Sequence, residues 1–441
     1  SKEVFPGKVF LVKITYPILC SLTLHTKYMV LGMRYSYFCR GFRKYGIFYM
    51  NLQPKSTNRH KKILLVMWLA GGAHLSVCNS IKKALQKRKL WDVQIVNIVK
   101  DVCPGADPME RYFNYSNEDL YNSLVRHDLF TLIKFHHRAG MFLLRLIGNR
   151  AVDKVKKYMI REKPDFVISA VHHFNGLLAR ALKDLNIPFG VVPTELMDLE
   201  KTPLWFAPEA CAYASFFSLA IPEMAHQGKR LGARNNCILS GGLTINPKFF
   251  DPDIQSMSRQ YAREHFGFNT EMLTILVAMG GAGGKAIYNI IKHLENSLEK
   301  LQIIACCGRD GKLKSKIKSL KFKNRVIPFG FSDEMDVLLK ASDLIITKPG
   351  PTSIWEALVM EVPIILDTEK IIVWEQPQVD FIEKYKLGKI VKKRSFLLNA
   401  IEDLTANNRS RLKKIKKSMN AFEKKDATLS IINAVVKKLA G

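Results

Sequence analysis

The segment Lys348-Pro349-Gly350-Pro351-Thr352-Ser353, followed by Glu356, has the residue types of a phosphate and ribose site. Gly350 permits close backbone approach. The hydroxyls and N–H groups of Thr352 and Ser353 can meet phosphate oxygens at a helix start, where either residue could also serve as the cap. Glu356 lies nearly one turn after Ser353 and shares its helical face. A carboxylate there can accept both hydroxyls of a ribose. Taken alone, Ser-x-x-Glu reads first as a capping box, with Glu356 folded back on the cap. A second cluster, Gly280-Gly281-Ala282-Gly283-Gly284, separates an apolar run from a helical stretch beginning at Lys285. Such a turn either approaches a phosphate or simply joins strand to helix, and it is neither a Walker A loop nor a clean G-x-G-x-x-G. Glu375-Gln376-Pro377-Gln378 offers planar groups suited to sugar hydroxyls, or a plain polar loop. Gly71-Gly72-Ala73-His74 sets an imidazole, a natural general base, behind another apolar run.

These groups need elements to position them. Residues 63–67 form a continuous apolar run of the kind a buried parallel strand requires. The glycine turn, a helix over 76–89 and a second strand over 93–99 follow, which is the opening of a doubly wound α/β domain. Further strands are expected at 166–169, 189–192, 212–215 and 236–240. After Asn246-Pro247-Lys248 the alternation repeats, with strands at 274–279, 302–306, 325–329, 344–347 and 363–366. The fold class is therefore α/β, with two Rossmann-like domains facing a cleft and ligands at the C-terminal ends of the strands. The expected organisation is a basic, aromatic extension over 1–60, a first domain over 61–245, a second over 246–408 and a basic helical tail over 409–441.

Composition narrows the function classes. The 441 residues are 47% apolar and 24% charged, values of an ordinary globular chain that exclude disorder and collagen-like or heptad-only structure. The net charge of +29 predicts an anionic partner: nucleic acid, anionic membrane or phosphorylated ligand. No acidic residue falls between Glu3 and Asp92, where cations alternate with aromatics such as Tyr35, Tyr37, Phe38 and Tyr45, a texture suited to a membrane interface or to an accessory extension. Residues 128–163 read as basic helices able to lie on an acidic bilayer, or as core helices with a solvated face. Lys13, Pro17, His25 and Lys27 interrupt the apolar stretch 9–33, so it is expected neither to span a membrane nor to act as a signal peptide. The eight cysteines make no C-x-x-C pair and read as reduced thiols; no metal site is expected.

Together these motifs resemble the monogalactosyldiacylglycerol synthase family, relatives of the bacterial enzyme that adds N-acetylglucosamine to the peptidoglycan lipid intermediate. The resemblance covers roughly residues 63–391. Gly71-Gly72-Ala73-His74 is similar to the family's Gly-Gly-Gly-His loop, and Ser169-Ala170-Val171-His172 to its Ser-Val-His segment. Thr194-Glu195-Leu196 and Trp205-Phe206 resemble its Thr-Asp-Leu and Trp-Phe, and Gly241-Gly242-Leu243-Thr244-Ile245 its inter-domain segment. Met279-Gly280-Gly281, Cys307-Gly308-Arg309 and Gly330-Phe331 resemble its nucleotide-domain signatures. The stretch from Thr347 to Ala357 is the most specific match. Departures are Ala73, Leu75, Glu195, Thr352, Ser353 and the Glu375-Gln376 loop.

The resemblance implies the two-domain GT-B type fold and an inverting transfer of a hexose from a UDP-sugar to a diacylglycerol-like lipid. His74 would be the catalytic base. Gly280, Gly281, Gly283, Gly308, Phe331, Lys348, Gly350, Pro351, Thr352, Ser353, Glu356, Glu375, Gln376 and Gln378 would hold the donor. Gly71, Gly72, His172, Glu195 and Trp205 would meet the acceptor. The UDP-sugar is substrate and no cofactor is expected. The charge is assigned to an anionic membrane surface, with peripheral attachment at the cytoplasmic face. Rival readings are a UDP-sugar 2-epimerase of the same fold, a nucleic-acid-binding protein, for which no reading motif is present, and a catalytically dead lipid-binding relative.

Overall fold

A computed structural model describes residues 60–69, 72–87, 91–104, 116–126, 132–133, 148–198, 203–281 and 283–440. The expected extension over 1–60 thus falls, but for His60, outside the described residues, as do Gly71 and most of the expected basic helix before Gly148. Among the described residues, twelve strands form two six-stranded sheets in which every pairing is parallel.

The first sheet contains β1 (Lys61–Met67), β2 (Trp91–Asn97), β3 (Phe166–Ser169), β4 (Phe189–Val191), β5 (Phe216–Leu219) and β6 (Ile238–Ser240), in the order β2-β1-β3-β4-β5-β6. The second contains β7 (Thr274–Ala278), β8 (Gln302–Cys306), β9 (Arg325–Phe329), β10 (Leu344–Thr347), β11 (Ile364–Asp367) and β12 (Gly388–Val391), in the order β12-β11-β10-β7-β8-β9. Runs such as Ile63, Leu64, Leu65 and Val66 are wholly buried because helices cover both faces of a parallel sheet. The chain reverses its strand order between β1 and β3 and again between β7 and β10. Crevices open at such switch points.

One expected strand is a helix. Residues 212–215 fall at the end and just after the helix Pro208–Tyr213. Pro208 sits in its first turn, where a missing N–H costs nothing, and Glu209 complements the positive helix end. The fully apolar β5 begins only at Phe216. β12 was not anticipated.

The last residues are not a free tail. The helical stretch Leu397–Ala421, interrupted by non-helical backbone from Ala406 to Arg409, belongs to the second domain's core through Leu397, Ile401, Leu404 and Leu412. The helix Ala427–Ala440 then buries Ile431, Ile432 and Val435 against Val77 and Ile81 of the first domain. Its apolar face therefore binds the two domains into one unit. The linker joins them as well: Leu243, Ile245 and Phe249 share a core with Ile354 and Trp355. The six described cysteines are buried free thiols.

The base of the second sheet is fastened by Asp343. Its carboxylate, 3% exposed, pairs with Arg263 at 2.7 Å and Arg259 at 2.9 Å, and accepts the Thr274 N–H at 2.9 Å. Arg263 is itself buried, so removing the carboxylate strands a charge. Asp343→Ala is expected to lower unfolding stability by about 3–5 kcal/mol, read from urea denaturation. A loss within the error of that measurement would contradict this role.

Candidate active site

A cleft of about 1800 Å³ runs between the two sheets, lined by both domains. On the second domain's side its wall consists of the turns that leave β7, β8, β9, β10 and β11. Residues far apart in sequence converge there because parallel strands all end at the same edge.

The β7 and β8 turns interlock. Arg309 N–H donates to Gly281 O at 3.0 Å, and Gly283 N–H to Gly280 O at 3.1 Å. Gly283 has φ 74° and Gly308 has φ 59°, both in the left-handed region. A Cβ on Gly283 would run into the Cys307 carbonyl, and one on Gly308 into the Gly281 carbonyl. Glycine is therefore required for this packing. Gly283→Ala is expected to cost about 1–3 kcal/mol of backbone strain, read from urea denaturation; unchanged stability would contradict the reading of this turn. Phe331, 58% exposed, projects from the β9 turn with the Arg309 guanidinium 4.7 Å from its ring centre.

At β10 the helix runs over Pro351–Val359 and is capped by Gly350, with no side-chain bond at the cap. Thr352 and Ser353 thus lie inside the first turn. Neither is the cap, and the capping-box reading of Ser353 and Glu356 does not hold. Pro351 presets the first helical φ. The first-turn N–H groups of Thr352 and Ser353 have no intrahelical partners and present the positive helix end to the cleft. The Thr352 hydroxyl is buried without a hydrogen bond. Glu356 lines the cleft one turn on, and burial, helped by the negative charge of Asp336, pushes its carboxyl up to about 8. From the β11 loop, Glu375 reaches back to Lys348 Nζ at 3.5 Å and accepts Ile372 N–H at 3.1 Å. Burial raises its pKa, and Lys348 holds it down. Gln378 donates to Trp374 O at 3.1 Å, while its carbonyl oxygen is buried without a partner.

The first domain contributes the turns leaving β1 and β3. His74, 5% exposed, stands in the first turn of the helix Ala73–Gln86. Its Nδ1 lies 2.5 Å from the Ala170 carbonyl. A carbonyl only accepts, so Nδ1 carries the proton and Nε2 holds the lone pair. Burial lowers the pKa to about 4 despite that carbonyl, so the ring is neutral at pH 7. His172 lies alongside, with ring centres 5.8 Å apart. Glu195 also lines the cleft; burial pushes it up to about 7 against hydrogen bonds from Thr194, at 2.9 Å, and Trp205.

Comparisons with known proteins bear on the fold and the class of activity. Residues 274–430 match the profile of the glycosyltransferase family 28 C-terminal domain. The chain is a glycosyltransferase whose second domain is similar to the family 28 C-terminal domain. It is 25% identical over 406 residues to the probable chloroplastic monogalactosyldiacylglycerol synthase of Glycine max, covering 89% of this chain and 73% of that one. It is 19% identical over 391 residues to the processive diacylglycerol beta-glucosyltransferase of Bacillus pumilus, covering 86% and 96%. The fold matches the crystal structure of Acinetobacter baumannii MurG with a TM-score of 0.57 at 16% identity, over 86% of this chain and all of that one. The architecture is thus the GT-B arrangement of two facing Rossmann-like domains.

In this glycosyltransferase the cleft gathers His74, Gly72, His172 and Glu195 from one domain. It gathers Gly280, Gly281, Gly283, Gly308, Phe331, Lys348, Gly350, Pro351, Thr352, Ser353, Glu356, Glu375 and Gln378 from the other. Two expected residues stay outside the lining. Trp205 is buried behind His172, with ring centres 5.2 Å apart, and supports Glu195 from the rear. Gln376 turns away to Asp380 at 2.8 Å. The sequence reading missed Asp336, Tyr121, Trp374, and the pair Asp367 and Arg394 at 2.7 Å, all of which line the cleft. Asp367, at the C-terminal end of β11, could have been found from its place after an apolar run. The others carry no local pattern.

Proposed function

We propose that the glycosyltransferase moves a hexose from a UDP-sugar to the hydroxyl of a diacylglycerol-like lipid at an anionic membrane surface, with inversion at the anomeric carbon. The observation that carries this reading is that His74, a neutral imidazole with Nε2 as acceptor, and the β10 turn with its free helix end line one cavity from opposite domains. The names of the plant and bacterial relatives support the lipid acceptor.

In this reading the diphosphate meets the first-turn N–H groups of Thr352 and Ser353 and the glycine turn after β7. Phe331 stacks on the base, Glu356 accepts the ribose hydroxyls, and Lys348, Glu375 and Gln378 frame the sugar. Nε2 of His74 takes the acceptor proton, and the oxygen attacks the anomeric carbon. The bond to UDP breaks on the opposite face, and the helix end stabilises the departing charge. The UDP-sugar is substrate, and no cofactor enters the scheme. Incubation of a panel of UDP-hexoses with diacylglycerol vesicles, followed by mass spectrometry of the lipids, is the test. A hexosyl-lipid is expected. Free hexose alone, or a 2-epimer of the UDP-sugar, would overturn the reading.

Peripheral attachment at the cytoplasmic face is part of the proposal. Among the described residues no helix is long and apolar enough to cross a membrane. With a net charge of +29, each cation near an acidic surface contributes about 1 kcal/mol. Vesicles containing anionic lipid should bind the protein at low salt and release it near 1 M salt, where the screening length shrinks to about 3 Å. Salt-insensitive binding would contradict the electrostatic part.

A further inference from the structure

The helix Asn117–Arg126 touches both halves of the machinery. On one side Glu118, 2% exposed, uses a single carboxylate oxygen to accept Leu69 N–H at 2.8 Å and Asn97 Nδ2 at 2.6 Å. Lys100 Nζ lies 3.3 Å from the other oxygen. Leu69 is on the exit of β1, the segment that leads into the helix bearing His74. Asn97 ends β2, and its own carbonyl caps the next turn by accepting Val99 and Lys100 N–H. Glu118 thus ties Leu69, just past the end of β1, to Asn97 at the end of β2. A carboxylate in that place meets the Leu69 N–H and, together with it, the side-chain amide of the buried Asn97.

One turn further on, the same helix presents Tyr121 to the other domain. Its ring stacks on Trp374 with centres 6.5 Å apart, and the indole hydrogen-bonds its hydroxyl. Leu124, Ile133 and Ile372 are buried around this contact. Trp374 immediately precedes Glu375, which reaches Lys348 of the β10 turn. A continuous set of contacts therefore runs from Leu69 through Glu118, Tyr121, Trp374 and Glu375 to Lys348. It crosses between the domains inside the cleft.

We infer that Glu118 is a positioning residue for His74, and that the helix carrying it is a strut through which donor occupancy in one domain orders the base-bearing turn in the other. The inference rests on the proposed donor site, and its mechanism is mechanical. A donor sugar that fixes Lys348 and Glu375 fixes Trp374; the stacked ring fixes Tyr121; and Glu118, on the same helix, fixes Leu69 at the end of β1. Base alignment would then follow donor binding, so that a lipid hydroxyl is deprotonated only when a sugar is present to receive it.

Two readouts test this, one of them independent of transfer. In the first, hydrogen exchange at the Leu69 amide is followed with and without UDP-glucose or UDP-galactose. The UDP-hexose should slow it at least tenfold in the wild-type chain. In Tyr121→Ala the effect should vanish while the affinity for the UDP-hexose stays within about threefold. Equal protection of Leu69 by the UDP-hexose in both chains would overturn the strut. Failure of the wild-type chain to bind UDP at all would overturn the donor reading itself. In the second, steady-state transfer by Glu118→Ala should show kcat lowered 30-fold or more, with the donor KM and the UDP stoichiometry unchanged. Glu118→Gln, whose carbonyl still accepts both donors, should restore most of the rate. The double variant Glu118→Ala/Tyr121→Ala should be no slower than Glu118→Ala. Normal kcat in Glu118→Ala, a fall in UDP stoichiometry matching the fall in rate, or additive losses in the double variant would each contradict the inference.

Discussion

His74→Ala should lower turnover by about 10²–10⁴-fold, the range for removal of a positioned general base, while leaving UDP affinity unchanged. The geometry gives the reason for both halves. The Ala170 carbonyl fixes the proton on Nδ1 and leaves Nε2 as the acceptor. Everything assigned to the nucleotide lies on the other domain, so the variant keeps its donor wall. The pH profile adds a second check. Burial holds the imidazole near 4, well below the ordinary histidine range. The base is therefore already neutral at pH 6, and the acid limb of kcat/KM due to His74 should appear near pH 4. Full turnover in His74→Ala would remove this residue from the mechanism, as would an acid limb near 6.5 that disappears in the variant.

Glu356→Gln should weaken UDP by about 10- to 100-fold at pH 9, the equivalent of one charge-assisted hydrogen bond of about 1.5–3 kcal/mol. The sign of the pH dependence follows from the raised pKa. With a pKa of about 8 the carboxyl is mostly protonated at pH 7 and ionises as pH rises. Two ribose hydroxyls donate best to the ionised form. UDP affinity in the wild-type chain should therefore rise by about tenfold from pH 7 to pH 9, since one pKa unit corresponds to about 1.4 kcal/mol. The Gln variant, which cannot ionise, should show no such rise. Calorimetric titration at the two pH values reads both effects. An affinity that falls with pH, or a rise that persists in Glu356→Gln, would show that another group meets the ribose.

Much of this was legible in the sequence because parallel strands buried on both faces read as plain apolar runs. Residues 63–67 and 344–347 are of this kind, and the glycine turns after β1, β7 and β10 mark the strand ends where ligands meet the chain. The resemblance carried the assignment of roles, since Gly-Gly-Ala-His and Lys-Pro-Gly-Pro-Thr-Ser have plain structural readings when taken singly. What stayed hidden depends on tertiary geometry. The cap at Gly350 replaces the capping box because Pro351 starts the helix earlier than the hydroxyl residues suggest. Residues 212–215 have strand-like composition, yet the helix that starts at Pro208 runs on to Tyr213 and the strand begins only at Phe216. Tyr121 and Trp374 meet across the cleft, and no spacing along one element reports a contact between domains. The basic C-terminal residues read as a tail because lysines dominate the pattern. The burial of Ile431, Ile432 and Val435 on the first domain shows that the apolar face decides.

The central claim is that one cleft holds an activated sugar on its second-domain wall and a base on the facing wall. The most direct measurement is the anomeric configuration of the hexosyl-lipid formed from an α-linked UDP-hexose, read by NMR coupling across the sugar C1–C2 bond. A base and a leaving group on opposite faces of the anomeric carbon require a single displacement, so the account predicts a β-linked product. An α-linked product would contradict it.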